Sequence, residues 1–211
     1  MAVAQASAAP ERERDNLMVV VRESIGANKE NETFEPSGKA SAKLPDGREV
    51  EIAMAWWEFI GDMHIRFVFD GPQTMIGATP QDLAKLHLGS VDEALALALD
   101  NVKRVYGEPT ATEWTNGVMQ VHGKSPDLNS TYFLDRDYWC SLLKTNPAGV
   151  VVAVPKRGGL LYAPLSNVNA VDSLKRGIAQ LHATSGQLRV SSALYLFKDD
   201  KWSVYQAAVK Q

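Results

Sequence analysis

The chain has 211 residues, 45% of them hydrophobic and 22% charged, with a net charge of −3 and a single cysteine, Cys140. Values this close to the globular average exclude a largely disordered chain, and one cysteine excludes both an internal disulfide and a cysteine-built zinc cage. No run approaches the ~20 consecutive apolar residues of a membrane-spanning helix.

Residues 1–16 are small, then densely charged (Glu11, Arg12, Glu13, Arg14, Asp15). They lack the apolar stretch of a secretory signal, so a frayed tail and a cytoplasmic setting are expected. Residues 17–25 are valine-rich and read as a strand, followed by a polar loop over 29–37. A hairpin is predicted next: residues 40–44 and 48–55 flank Pro45-Asp46-Gly47, which supplies the backbone angles of a tight turn. Val50, Ile52, Met54 and Trp56 alternate toward one face, which would put Trp57 and Phe59 on the face of Glu49 and Glu51 unless a bulge reverses them or a further layer covers that face. Over 63–70, Met63, Ile65, Phe67 and Phe69 point inward while His64, Arg66 and Asp70 point outward.

Two helices follow. Thr79 caps the first, with Pro80 at its first position and Gly89 past its end. Ser90 and Glu93 form a capping box for the second, whose apolar residues from Val91 to Tyr106 recur at helical spacing. Asn116-Gly117 marks a second hairpin within 112–121. A helix is expected over 135–143. The apolar run 150–154 reads as a central strand buried on both faces, extended by 160–162. Val171, Leu174, Ile178 and Leu181 mark a last helix, and 193–197 with 202–206 a last pair of strands. The predicted architecture is α+β: residues 17–211 form a single domain, with a largely antiparallel sheet and three or four helices packed against it. Residues 17–78 could stand apart as an N-terminal hairpin subdomain.

Several phrases also match a known pattern. One set runs through Phe67-Val68-Phe69-Asp70, Thr79-Pro80-Gln81-Asp82-Leu83-Ala84-Lys85-Leu86-His87-Leu88 and the helix from Asp92-Glu93-Ala94-Leu95 to Asn101-Val102-Lys103-Arg104. The other runs through Val151-Val152-Ala153-Val154-Pro155-Lys156-Arg157, Leu160-Leu161-Tyr162 and Ser191-Ser192-Ala193-Leu194-Tyr195-Leu196-Phe197 with Trp202. Together these resemble the bacterial YtpQ-like family of uncharacterised proteins over roughly half the chain; residues 17–57 do not. The resemblance implies a fold and a cytosolic setting, and carries no activity or cofactor with it.

The residues show no assembled catalytic centre. His64, His87, His122 and His182 are isolated, without the paired spacing of metal ligands. Cys140 lies between Trp139 and Leu142, as a buried thiol would. Ser191 and Ser192 lack a nucleophile elbow, and Gly158-Gly159 lacks both phosphate-loop and dinucleotide signatures. No catalytic, metal or cofactor residue is therefore assigned. The candidate binding residues are Trp57 and Phe59, as exposed aromatics; His64 and Arg66, sharing an outward face; Asp135 and Asp137, at an exposed helix start; and Lys156 and Arg157, where a buried strand emerges into solvent.

The chain is net acidic through Thr110 and net basic thereafter, a polarity that can steer a charged partner. The expected function is a non-catalytic cytoplasmic protein-binding module, in its sharpest form an immunity protein neutralising a bacterial toxin. The alternative is a small-molecule or anion-binding domain using Lys156 and Arg157, with an uncatalogued hydrolytic activity as its extension. Nucleic acid is disfavoured, because aromatics are not interleaved with a dense basic run, and no membrane partner is expected.

Overall fold

The computed structural model describes residues 10–209. In chain order the elements are β1 (Leu17–Glu23), β2 (Glu35–Pro36), β3 (Lys39–Lys43), β4 (Glu49–Ala53), β5 (Trp56–Glu58), β6 (Met63–Asp70), β7 (Met75–Gly77), α1 (Pro80–Lys85), α2 (Val91–Tyr106), β8 (Thr110–Thr115), β9 (Val118–His122), α3 (Arg136–Leu143), β10 (Val150–Lys156), β11 (Gly159–Pro164), α4 (Val168–Ala183), β12 (Leu194–Lys198) and β13 (Lys201–Gln206). The fold is α+β, and every strand pairing is antiparallel.

The first sheet is organised around β6. It pairs β1 along one edge, from Leu17 opposite Phe69 to Glu23 opposite Met63. Along its other edge it pairs β5 and then β7, and β2 adds to β5. The predicted inward set of β6 holds, with Met63, Ile65, Phe67 and Phe69 all buried, but His64, expected to face outward, is buried as well because β1 and β5 flank it on both sides. The second sheet runs β13-β12-β10-β11-β9-β8. Its β10 is central and covered on both faces, as its unbroken apolar run requires. Val150, Val152 and Val154 join the large core shared with the first sheet, while Val151 and Ala153 meet Ala170, Val171, Leu174 and Ile178 of α4. The β8–β9 turn uses Asn116 and Gly117 at φ of 49° and 77°, the left-handed angles that the Asn-Gly pair tolerates.

The two sheets meet through aromatic side chains. Phe59 stacks on Phe34 and meets Phe133 edge-on, Phe133 stacks on Trp202 at 4.0 Å, and Trp202 meets Trp139 at 5.4 Å. Trp139 is fully buried, and its indole N–H donates to the carbonyls of Tyr132 and Phe133 at 3.0 and 3.1 Å. This satisfies the polar atom that such a ring brings into a core. A polar junction completes the seam: the buried Asp62 carboxylate accepts from Ser191 Oγ, from Tyr195 Oη at 3.0 Å and from Ser192 N at 3.3 Å.

Three features depart from the sequence reading. The alternation predicted through Val50–Trp56 resets at Met54, where Trp56 N donates to Met54 O at 2.8 Å, a three-residue γ-turn. Trp57 therefore meets Phe67 edge-on at 5.3 Å and Phe59 is buried, so neither presents an exposed aromatic surface. Asp135 is not on an exposed helix face but is the buried N-cap of α3. The expected tail falls partly on residues 1–9, outside the described residues. Residues 10–16 are tied down: Arg12 Nη1 donates to both carboxylate oxygens of Asp82 at 2.7 and 2.8 Å, and Asn101 donates to the carbonyls of Arg14 and Leu17. The hairpin of β3 and β4 forms its own two-stranded sheet.

Candidate anion-binding site

Register decides which polar side chains of the first sheet meet. Arg22 lies opposite His64, and Arg66 lies between Val20 on one side and Trp56 on the other. Directly opposed residues of antiparallel strands share a face, so Arg22, His64, Arg66 and Trp56 gather there. The Arg66 guanidinium sits 3.9 Å from the Trp56 ring centroid, a cation–π contact. Its Nε donates to His64 Nε2 at 2.7 Å. A guanidinium has no acceptor, so Nε2 must offer a lone pair, which assigns the imidazole proton to Nδ1, 3.0 Å from Ser24 Oγ. His64 is thus held neutral. Burial first, then the charges of Arg66 and Arg22, push its pKa down to about 4.

A third guanidinium arrives from the second sheet. Arg157 sits in the β10–β11 turn, where its N–H donates to Leu188 O at 3.0 Å and its carbonyl accepts from Ser130 N at 2.9 Å. Its side chain reaches Gln187 O at 3.5 Å, and its Nε is buried without a hydrogen-bond partner. Two of the three charges are perturbed by their neighbours. Burial, then Arg157 and Arg66, bring Arg22 down to about 10, with Asp127 the one carboxylate opposing them. Arg66 is lowered by burial and then by Arg157. Among the described residues none of the three forms an ion pair with a carboxylate. Arg22 donates to the carbonyl of its neighbour Val21 at 2.8 Å, and the two terminal nitrogens of Arg66 make no protein hydrogen bond. Half-buried like charges left this way are destabilising.

A cleft of about 490 Å³ opens beside Arg22 and Arg157, lined also by Asp70, Thr74, Ser125, Asp127 and apolar and neutral neighbours; Arg66, His64 and Trp56 are not part of its lining. Its volume falls in the range of small-molecule sites. Asp70 at its edge accepts from the Tyr106 hydroxyl, and burial followed by this carboxylate raises Tyr106 to about 12.

Of the residues singled out from sequence, the structure unites His64, Arg66 and Arg157. Lys156 is exposed and its backbone bridges to Arg189, outside the cleft. Asp135 accepts from Tyr138 N at 3.4 Å and lies 3.7 Å from Lys103; burial raises its pKa against the pull of that lysine. Asp137 is exposed in the first turn of α3 and shares no site with it. Arg22 and Trp56 were missed; an arginine ending the run Val19-Val20-Val21 is a signal for the first, and no local signal marks the second. Among the described residues no group of three His, Cys, Asp or Glu side chains is arranged to hold a metal ion, and no helix is long and apolar enough to cross a membrane.

No family model matches the chain, and comparison with curated proteins and with solved structures gives no significant match.

Proposed function

We propose that this protein binds a small anionic ligand at the cleft lined by Arg22 and Arg157, with Arg66 close behind them. The observation that carries the reading is that Arg22 and Arg157, both half-buried and with no carboxylate ion pair among the described residues, line one cleft, the Nε of Arg157 buried without a hydrogen-bond partner. Binding rather than catalysis is favoured, since Ser191 is fully buried beneath Asp62 and Tyr195 and has no path to a substrate. Thermal melts with sulfate, phosphate and malonate test it. At a ligand concentration ~100 times Kd, linkage adds about 2.7 kcal/mol, which for a chain of this size raises the melting temperature by roughly 5–10 °C. Arg157→Gln should abolish that response while leaving the ligand-free protein at least as stable, because a repelling charge is removed. An unresponsive wild type, or a variant that responds equally, refutes the reading.

A second reading, the protein-binding module and immunity protein expected from sequence, rests on a different observation. Trp114 on the edge strand β8 is 48% exposed beside an apolar groove lined by Val118, Leu174, Gly177 and Leu181. Tryptophans in such settings are enriched among the residues that dominate interface energetics. A co-purifying stoichiometric protein that is lost with Trp114→Ser would support it; equal recovery with wild type and variant would remove its support.

A further inference from the structure

Resting on the anion-binding reading, we propose that the anionic group held in the cleft is the terminal carboxylate of a short peptide, whose free ammonium end lies at the cleft's other end. The lining is charge-balanced, with Arg22 and Arg157 against Asp70 and Asp127. Yet among the described residues no ion pair joins either arginine to either aspartate. Register explains why the first and last of these charges stay apart. Arg22 lies opposite His64, and Asp70 stands six positions farther along β6, which places their Cα atoms about 20 Å apart at about 3.3 Å per residue. An arginine and an aspartate side chain together cannot span that interval. The cleft therefore has a basic end and an acidic end, fixed by one pair of strands.

Each end suits one unit of charge. At the basic end Arg157 acts on Arg22 from close by, and its carbonyl accepts from Ser130 N at 2.9 Å, which brings the segment 125–130 alongside. Asp127 in that segment offsets one of the two guanidinium charges, leaving a single positive charge for a carboxylate. Donors remain for it: Arg157 Nε is buried without a hydrogen-bond partner, and Arg22 donates only to the carbonyl of its neighbour Val21, so a charge-assisted pair can form. At the acidic end Gly71, Gln73 and Thr74 follow Asp70, and no cation among the described residues lines it. One Asp70 oxygen accepts from the Tyr106 hydroxyl, and the other is open to an ammonium group. Gln73, Thr74 and Ser125 offer polar partners for the amides between the two ends. A single amino acid holds its charges too close together to reach both. An extended tripeptide is about 10 Å long, and the reach of the arginine and aspartate side chains covers the rest.

Isothermal titration of the full chain with trialanine, its N-acetylated form, its C-terminal amide, alanine and malonate tests the assignment. Trialanine should bind at least about tenfold more tightly than any of the others, the factor that one charge-assisted hydrogen bond is worth. Asp70→Asn, whose amide oxygen can still accept from Tyr106, should bind trialanine and the N-acetylated form equally. Arg157→Gln should bind trialanine and its amide equally weakly. The N-acetylated form, the amide or malonate equalling trialanine with the wild type would overturn the peptide assignment. Alanine equalling it would overturn the separation of charges on which the assignment rests. If only malonate or the N-acetylated form binds, the anion reading stands without the peptide; if none of the five binds, both proposals fall.

Discussion

Protonating His64 must break its bond to Arg66, because Nε2 cannot accept from a guanidinium once it bears its own proton. In the unfolded chain the imidazole titrates near its ordinary 6.5, whereas in the folded protein it titrates at about 4. Below roughly pH 6.5 the unfolded state binds a proton that the folded state refuses, so stability falls with pH until about pH 4, where this contribution levels off. An interval of about 2.5 pH units, at about 1.4 kcal/mol each, amounts to roughly 3 kcal/mol. That is a large part of the 5–15 kcal/mol typical of a folded domain, roughly. Urea denaturation between pH 7.5 and pH 4 measures it, with His64→Gln as the reference: the amide oxygen can still accept from Arg66 but does not titrate. The wild type should lose about 3 kcal/mol more than the variant across that range. Parallel pH profiles, or an imidazole resonance that titrates near 6.5, would refute the neutral-acceptor assignment.

Asp62→Asn should cost about 3 kcal/mol by urea denaturation, since hydrogen bonds from Ser191, Tyr195 and Ser192 to a charged acceptor are weakened together; a loss under about 1 kcal/mol would show that the junction contributes little. Asn101→Ala removes two of the bonds that hold the segment leading into β1, those to the carbonyls of Arg14 and Leu17, at about 1–3 kcal/mol. Trypsin should then cleave after Arg12 or Arg14 faster than in the wild type, and an unchanged rate would mean that the remaining contacts, Arg12 on Asp82, Arg14 on Leu86 O and Arg104 on Asp15 O, suffice to hold it.

Local chemistry was readable wherever a signal and its consequence lie close along the chain. Thr79 with Asp82, Ser90 with Glu93, and Asn116-Gly117 each produced the cap or turn that their side chains and backbone angles favour. The apolar run of β10 was placed correctly at the centre of its sheet. The site was readable only in part. Arg66 and Arg157 were singled out because each follows from its own strand, but their meeting depends on how two sheets dock. Arg22 joins them only through the register of β1 against β6, which no window of adjacent residues encodes. Trp56 and Trp57 exchanged faces through one γ-turn at Met54, a single backbone hydrogen bond that alternation cannot foresee. Asp135 and Asp137 were weighed as two helix residues, but the first is a cap whose side chain turns back on Tyr138 N.

Because β3 and β4 pair only with each other, both outer margins of that ribbon keep backbone groups free to recruit a foreign strand. Lys39, Lys43, Glu49 and Glu51 are exposed along it, and Lys39 meets Glu51 at 3.0 Å. A neighbouring molecule laid alongside would have to strip water from these charges, so they act as gatekeepers against fibre-like stacking. Exchanging them for apolar residues would leave the fold's core untouched and turn this ribbon into the point from which the protein aggregates.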